Sequence, residues 1–142
     1  MTSRVWYQSF VHPVQQAPYI ERLQALLNEV AGPDARFEVH GLDPPDHSFH
    51  PLTEFRCASQ VIGNALQAEK EGYDAFVLGH FQEPGLLEIR SSVDIPVVAL
   101  GEANLLAAHL PVVPGDEDRI DGDQSDPLTE RARVQHARLA QA

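Results

Sequence analysis

Apolar and polar positions along residues 1–110 fall into eight alternating segments. Residues 5–11 (VWYQSFV) are aromatic and β-branched and predict a first strand, ended by His12-Pro13. Ala17-Pro18 opens a helix in which Tyr19, Ile20, Leu23, Leu26, Leu27 and Val30 recur every three or four residues, the spacing of a face turned to a core. Gly32-Pro33 stops it. Residues 36–41 (RFEVHG) alternate apolar and polar, which predicts a second strand nearer an edge. A proline-rich loop over residues 42–51 precedes a helix over residues 53–71, with Phe55, Ala58, Val61, Ile62, Ala65 and Leu66 as its apolar stripe and Gly72 as its end.

The stretch on which the rest turns is residues 73–102, YDAFVLGHFQEPGLLEIRSSVDIPVVALGE. Residues 75–78 are a short apolar run bounded by Gly72 and by Gly79-His80, as suits a strand buried on both faces. Glu83-Pro84-Gly85 offers an N-cap and a first-turn proline to a helix carrying Leu86, Leu87, Ile89 and Val93. Residues 95–100 (IPVVAL) are a fourth strand, and residues 103–110 a last helix. Strand and helix therefore alternate four times. Right-handed crossovers turn that order into an α/β fold with a four-stranded parallel sheet, order 2-1-3-4, and helices on both faces. Ligands of such sheets bind beyond the carboxyl ends of the strands, where His80 and Glu102 both fall.

Composition changes after residue 110. Residues 111–127 are acidic and rich in glycine and proline, which predicts an exposed or disordered linker; residues 128–142 are helix-prone with a thin apolar face. The domain expectation is thus an α/β lobe over 1–110, a linker and a terminal helix. The net charge of -11 excludes nucleic acid and anionic membrane surfaces as natural partners, because both would repel the chain. No apolar run suggests a signal or a membrane span, and the single Cys57 excludes an internal disulfide, so a cytoplasmic protein is expected.

The candidate chemistry sits at strand ends. His80 is either an acid/base near neutral pH or a histidine hydrogen-bonded to loop backbone. Gln8 and Ser9 stand at the mouth of the first strand, where they would hold substrate oxygens or simply end the strand. Glu83 serves as a catalyst or an N-cap, Glu102 as a pocket residue or a dipole-complementing carboxylate, and Arg56 as a carboxylate partner or a solvated face residue. His40, His47, His50 and Cys57 lie near one another in sequence, but without a zinc spacing, and no metal is expected. Neither a G-x-S-x-G turn nor a Gly-rich nucleotide motif occurs.

Taken together, Gly79-His80-Phe81, Glu83-Pro84-Gly85-Leu86, Ile95-Pro96-Val97-Val98 and Gly101-Glu102-Ala103 resemble the Asp/Glu racemase superfamily, most closely its hydantoin racemase branch. The resemblance runs over roughly residues 4–110. It implies one lobe of a two-lobed isomerase that moves a proton at a carbon beside a carbonyl without a cofactor, each lobe supplying one acid/base. The substrate implied is an amino acid or a hydantoin-type derivative. His80 stands at the position where the family usually has cysteine, and becomes the single catalytic candidate. Phe81, Gln82, Glu83 and Gly85, with Gln8, Ser9 and Glu102, become the substrate- or anion-binding set. No counterpart of the second lobe is found after residue 110, so impaired inversion and a homo-oligomer are expected; the alternative is a non-catalytic small-carboxylate-binding or assembly module of the same fold.

Overall fold

The computed structural model describes residues 1–48 and 50–109; the expectations for 111–127 and 128–142 lie outside them. Four strands, β1 (Ser3–Gln8), β2 (Ala35–His40), β3 (Ala75–Leu78) and β4 (Val97–Ala99), alternate with four helices, α1 (Ala17–Ala31), α2 (Pro51–Lys70), α3 (Leu86–Ser92) and α4 (Leu100–His109). All pairings are parallel and the sheet order is β2-β1-β3-β4, as the alternation requires. Gln8 pairs with both His40 and Leu78, and Leu78 with Ala99. The four strands therefore end in one row, and the loops that leave them share one rim.

The core lies between the sheet and α2 and α3. Trp6, Phe76, Leu78 and Ala99 meet Cys57, Val61, Ala65 and Ala68 of α2 and Leu86 and Ile89 of α3. Removing a side chain such as Phe76, Leu78 or Ile89 from water contributes roughly 1.5–3 kcal/mol each, and all three are fully buried. The buried stripe of α2 is Cys57, Val61, Ala65 and Ala68, with Ile62 packed against it; Val61, Ile62 and Ala65 are as expected, whereas Cys57 and Ala68 are not. Phe55 and Leu66 stay 76% and 46% exposed. Beside the stripe the turn into α3 comes in close: a Cβ on Gly85 would stand 3.3 Å from the Cβ of half-buried Ala58. Cys57 is a core thiol, and burial pushes its pKa up.

Helix α1 also departs from expectation, for none of its residues is buried, and Val30 is 81% exposed. Ile20, Leu23 and Leu27 are half-buried, and polar contacts tie the same face to β2. The Asn28 amide donates to the Phe37 carbonyl and accepts the Phe37 N–H, at 3.0 and 2.7 Å, and Gln24 accepts the Val39 N–H at 2.9 Å. Since β2 is an edge strand, these amides satisfy backbone groups that would otherwise offer themselves to another strand. Near the edge, Trp6 stacks on His40 with ring centroids 3.5 Å apart. Nε2 of His40 is buried without a hydrogen-bond partner among the described residues, and burial pushes its pKa down. No helix among the described residues is long and apolar enough to cross a membrane.

Candidate active site

His80 follows β3, one of the two central strands, and is 7% exposed. Its approach to the rim is set by Gly79. A Cβ there would lie 2.5 Å from Cε1 of Tyr7 and 2.7 Å from the Gln8 carbonyl oxygen, so only glycine lets the chain leave the sheet past that ring. The Gly79 N–H still donates to the Gln8 carbonyl, at 2.9 Å, and extends the pairing by one residue before the turn. Tyr7 is itself buried, and burial, with Tyr19 nearby, raises its pKa.

Two further strand ends close on the imidazole. From the loop after β1, the Phe10 ring lies 4.5 Å from that of His80. From the loop after β2 comes Asp46, whose Oδ2 is 3.2 Å from Nε2 of His80; the two side chains are 2% and 6% exposed. A buried carboxylate needs such partners, because desolvation is not otherwise offset. The loop carrying Asp46 is anchored at several points. The Asp46 N–H donates to the Phe10 carbonyl at 3.0 Å, Arg56 donates to the Pro45 carbonyl at 2.8 Å, and Gln60 to that of Asp43 at 3.0 Å. Arg56, a candidate carboxylate partner, is thus used to hold the loop.

Asp46 was not among the sequence candidates. The signal that could have found it is topological: in a parallel sheet the loop after β2 shares the rim with the loop after β3, so an acidic residue there is within reach of His80. The histidines of that loop drew attention instead. His50 caps α2, its Nδ1 accepting the Leu52 N–H at 3.2 Å, while His40 stacks on Trp6 and Cys57 sits in the core. Among the described residues, no group of three or more His, Cys, Asp or Glu side chains is arranged to hold a metal ion.

The turn after His80 is wound tightly. The Gln82 N–H donates to Nδ1 of His80 at 3.2 Å, the Glu83 N–H to the His80 carbonyl at 3.2 Å, and the Leu86 N–H to the Glu83 carbonyl at 3.2 Å. Glu83 adopts φ 52, and Gly85, at φ 80, is the residue before α3. Glu83 does not cap α3, as the sequence suggested. Its carboxylate reaches across to α4 and accepts the Glu102 N–H at 2.6 Å. Gly101 makes this possible, for a Cβ there would lie 2.7 Å from Oε1 of Glu83. Two of the motifs singled out in the sequence therefore meet each other directly.

Of the expected binding set, Gln82 and Glu83 contact His80 through their N–H groups, Phe81 follows it in the chain, and Ser9 and Gly85 lie on loops of the same rim, but several groups are already engaged. Gln8 is fully buried, and its amide is occupied throughout: Oε1 accepts from the Trp6 indole (3.1 Å) and Asn64 (2.9 Å), while Nε2 donates to the carbonyls of Ser9, Gly41 and His40 (2.9, 3.1 and 3.3 Å). It braces the rim from inside and offers no group outward. Glu102 is bound by Arg90 in a two-pronged pair, 2.7 and 3.0 Å, which holds its pKa down. Ser9 is 4% exposed, its hydroxyl forming no hydrogen bond to another described side chain, and the Phe81 N–H is likewise uncommitted among the described residues. Phe81 itself projects, 65% exposed. The arrangement can hold a proton on an imidazole at a buried rim, beside a turn rich in backbone donors.

Neither a family model nor a curated protein sequence matches the chain. In structure it is similar to allantoin racemase from Klebsiella pneumoniae, with a TM-score of 0.62 and 24% sequence identity over 75% of this chain and 43% of that one. The likeness establishes a racemase-like fold. The chain spans less than half the length of that enzyme.

Proposed function

We propose that this lobe carries out cofactor-independent proton transfer at the α-carbon of an amino acid or a hydantoin-type derivative, with His80 as the acid/base. The observation that carries this reading is a buried imidazole at the carboxyl end of a central parallel strand, in contact with a buried carboxylate, on a racemase-like fold. A carbon acid beside a carbonyl needs a base near its C–H and donors near its oxygen. In this reading His80 supplies the first, and the Phe81 N–H and the Ser9 hydroxyl supply the second. Among the described residues His80 is the one rim imidazole paired with a buried carboxylate, since His12 faces the exposed Asp43, so the expected chemistry is exchange of the α-hydrogen on one face of the carbon. Inversion would need a second acid/base on the opposite face, as a second copy of the chain could provide.

The test is deuterium incorporation at the α-carbon of aspartate, glutamate and 5-isopropylhydantoin in D2O, against buffer alone. Catalysed exchange that disappears in a folded His80→Ala variant is the expected result, and exchange equal in both proteins overturns it. A second reading, a binding or assembly module without turnover, draws on the exposed apolar residues Leu52, Phe55, Phe81 and Leu87. It requires sedimentation to show more than one chain per particle while no α-deuterium is gained.

A further inference from the structure

We propose that Asp46 is the positioning residue of this site: it keeps a proton on Nε2 of His80 and so leaves Nδ1 as the atom that takes and returns the substrate proton. The inference rests on the reading of His80 as the acid/base, and its test is chosen to separate the two. Its starting point is the direction of one hydrogen bond. The Gln82 backbone N–H is a donor only, and it points at Nδ1 from 3.2 Å. Nδ1 must then present its lone pair. In a neutral imidazole the other nitrogen carries the proton, and that nitrogen faces Oδ2 of Asp46, an acceptor, at 3.2 Å. Both contacts agree on one tautomer, and the opposite tautomer would break both, setting N–H against N–H at Gln82 and a lone pair against a carboxylate at Asp46.

Position agrees with this division of labour. The Asp46 side chain is 2% exposed, so Nε2 is turned to the interior, whereas Nδ1 faces the N–H of Gln82, an exposed residue. On this assignment the substrate C–H would take the place of the Gln82 N–H at Nδ1, a contact of 3.2 Å. In the step itself the Cα–H bond breaks and its electron pair moves into the adjacent carbonyl, giving an enolate. The proton forms the new N–H bond at Nδ1. The resulting imidazolium charge is balanced by Asp46 across Nε2, a pair whose mutual attraction is strengthened by burial. Because Nδ1 has one lone pair, the Gln82 N–H must leave it before the substrate proton arrives, and that donor then lies beside the reacting atom as negative charge gathers on the enolate oxygen. Reversal breaks Nδ1–H and returns a proton, or a deuteron after exchange with solvent, to the same carbon.

Long-range 1H–15N correlation spectra of uniformly 15N-labelled protein report which ring nitrogen carries the proton, and the His80 signals among the seven histidines are identified by their loss in His80→Gln. Nε2 protonated and Nδ1 bare is the expected result near neutral pH. Asp46→Asn can present an amide N–H₂ to Nε2 and should shift the population toward Nδ1–H. With the same substrates, its exchange should fall on the order of 100-fold or more in kcat with KM little changed; a role in folding alone would leave the tautomer and kcat where they are. Should Asp46→Asn not fold, Asp46→Glu keeps a carboxylate and should keep the Nε2–H form. Wild-type protein with Nδ1 protonated overturns the proposal whatever exchange does. The expected tautomer without any exchange overturns the acid/base reading and leaves Asp46 as what orients the ring.

Discussion

Replacing Gln8 by methionine tests the most specific departure of the structure from the sequence. The two side chains are similar in length, so the perturbation removes polar partners and leaves most of the volume. Gln8 is fully buried and its amide serves the Trp6 indole, Asn64 and the carbonyls of Ser9, His40 and Gly41. The His40 carbonyl keeps the Ser9 N–H at 2.8 Å and does not count as lost, and half-buried Asn64 can turn to water. The carbonyl of half-buried Gly41 can likewise turn to water. The Trp6 N–H and the Ser9 carbonyl remain, each costing about 1–3 kcal/mol when left unpaired in the interior. Gln8→Met should therefore lower stability by roughly 2–6 kcal/mol. Urea unfolding followed by the fluorescence of Trp6, the chain's single tryptophan, and by far-UV circular dichroism measures this directly. Both probes should move together with an unchanged slope. A loss within about 0.5 kcal/mol, the range of ordinary surface substitutions, would refute the assignment of Gln8 to the interior and return it to the role of an open substrate ligand.

Two other outcomes follow from the same region. Burial lowers the His40 pKa in the folded chain, against opposing contributions from Glu38 and Glu71. The unfolded chain then binds a proton first as pH falls: stability is complete above about pH 6.5 and declines below it, by at most about 1.4 kcal/mol per pH unit, until the folded-state pKa is reached. Unfolding curves between pH 7.5 and 5.5 should show this decline in wild-type protein and less of it in His40→Gln; parallel curves for the two would contradict it. Gly79→Ala forces a methyl onto the Tyr7 ring and should cost about 1–3 kcal/mol, as overpacked sites do. The loss should shrink in a Tyr7→Leu background, because only the Gln8 carbonyl still obstructs; an equal loss in both backgrounds would show that the ring is not the obstacle.

The alternation of apolar runs and amphipathic stretches was enough to define the fold: four strands, four helices and the order β2-β1-β3-β4, because crossover handedness and the rule of short connections leave few other ways to close such a chain. The place of His80 followed from the same reasoning, since a residue after a central parallel strand has only the rim to occupy. What the sequence could not decide is what each polar group does there. Gln8 and Ser9 are equivalent as strand-end residues and both are buried, yet the amide of one meets five partners and the hydroxyl of the other bonds to no other described side chain. Glu83 is written next to α3 but serves α4, because φ 52 at Glu83 and the missing Cβ of Gly101 bring two distant turns together. Asp46 and His80 are 34 residues apart and become neighbours only when β1 is laid between their strands. Periodicity is a local property and survives in one dimension. Hydrogen-bond partnership depends on distance and direction, which only the folded chain supplies.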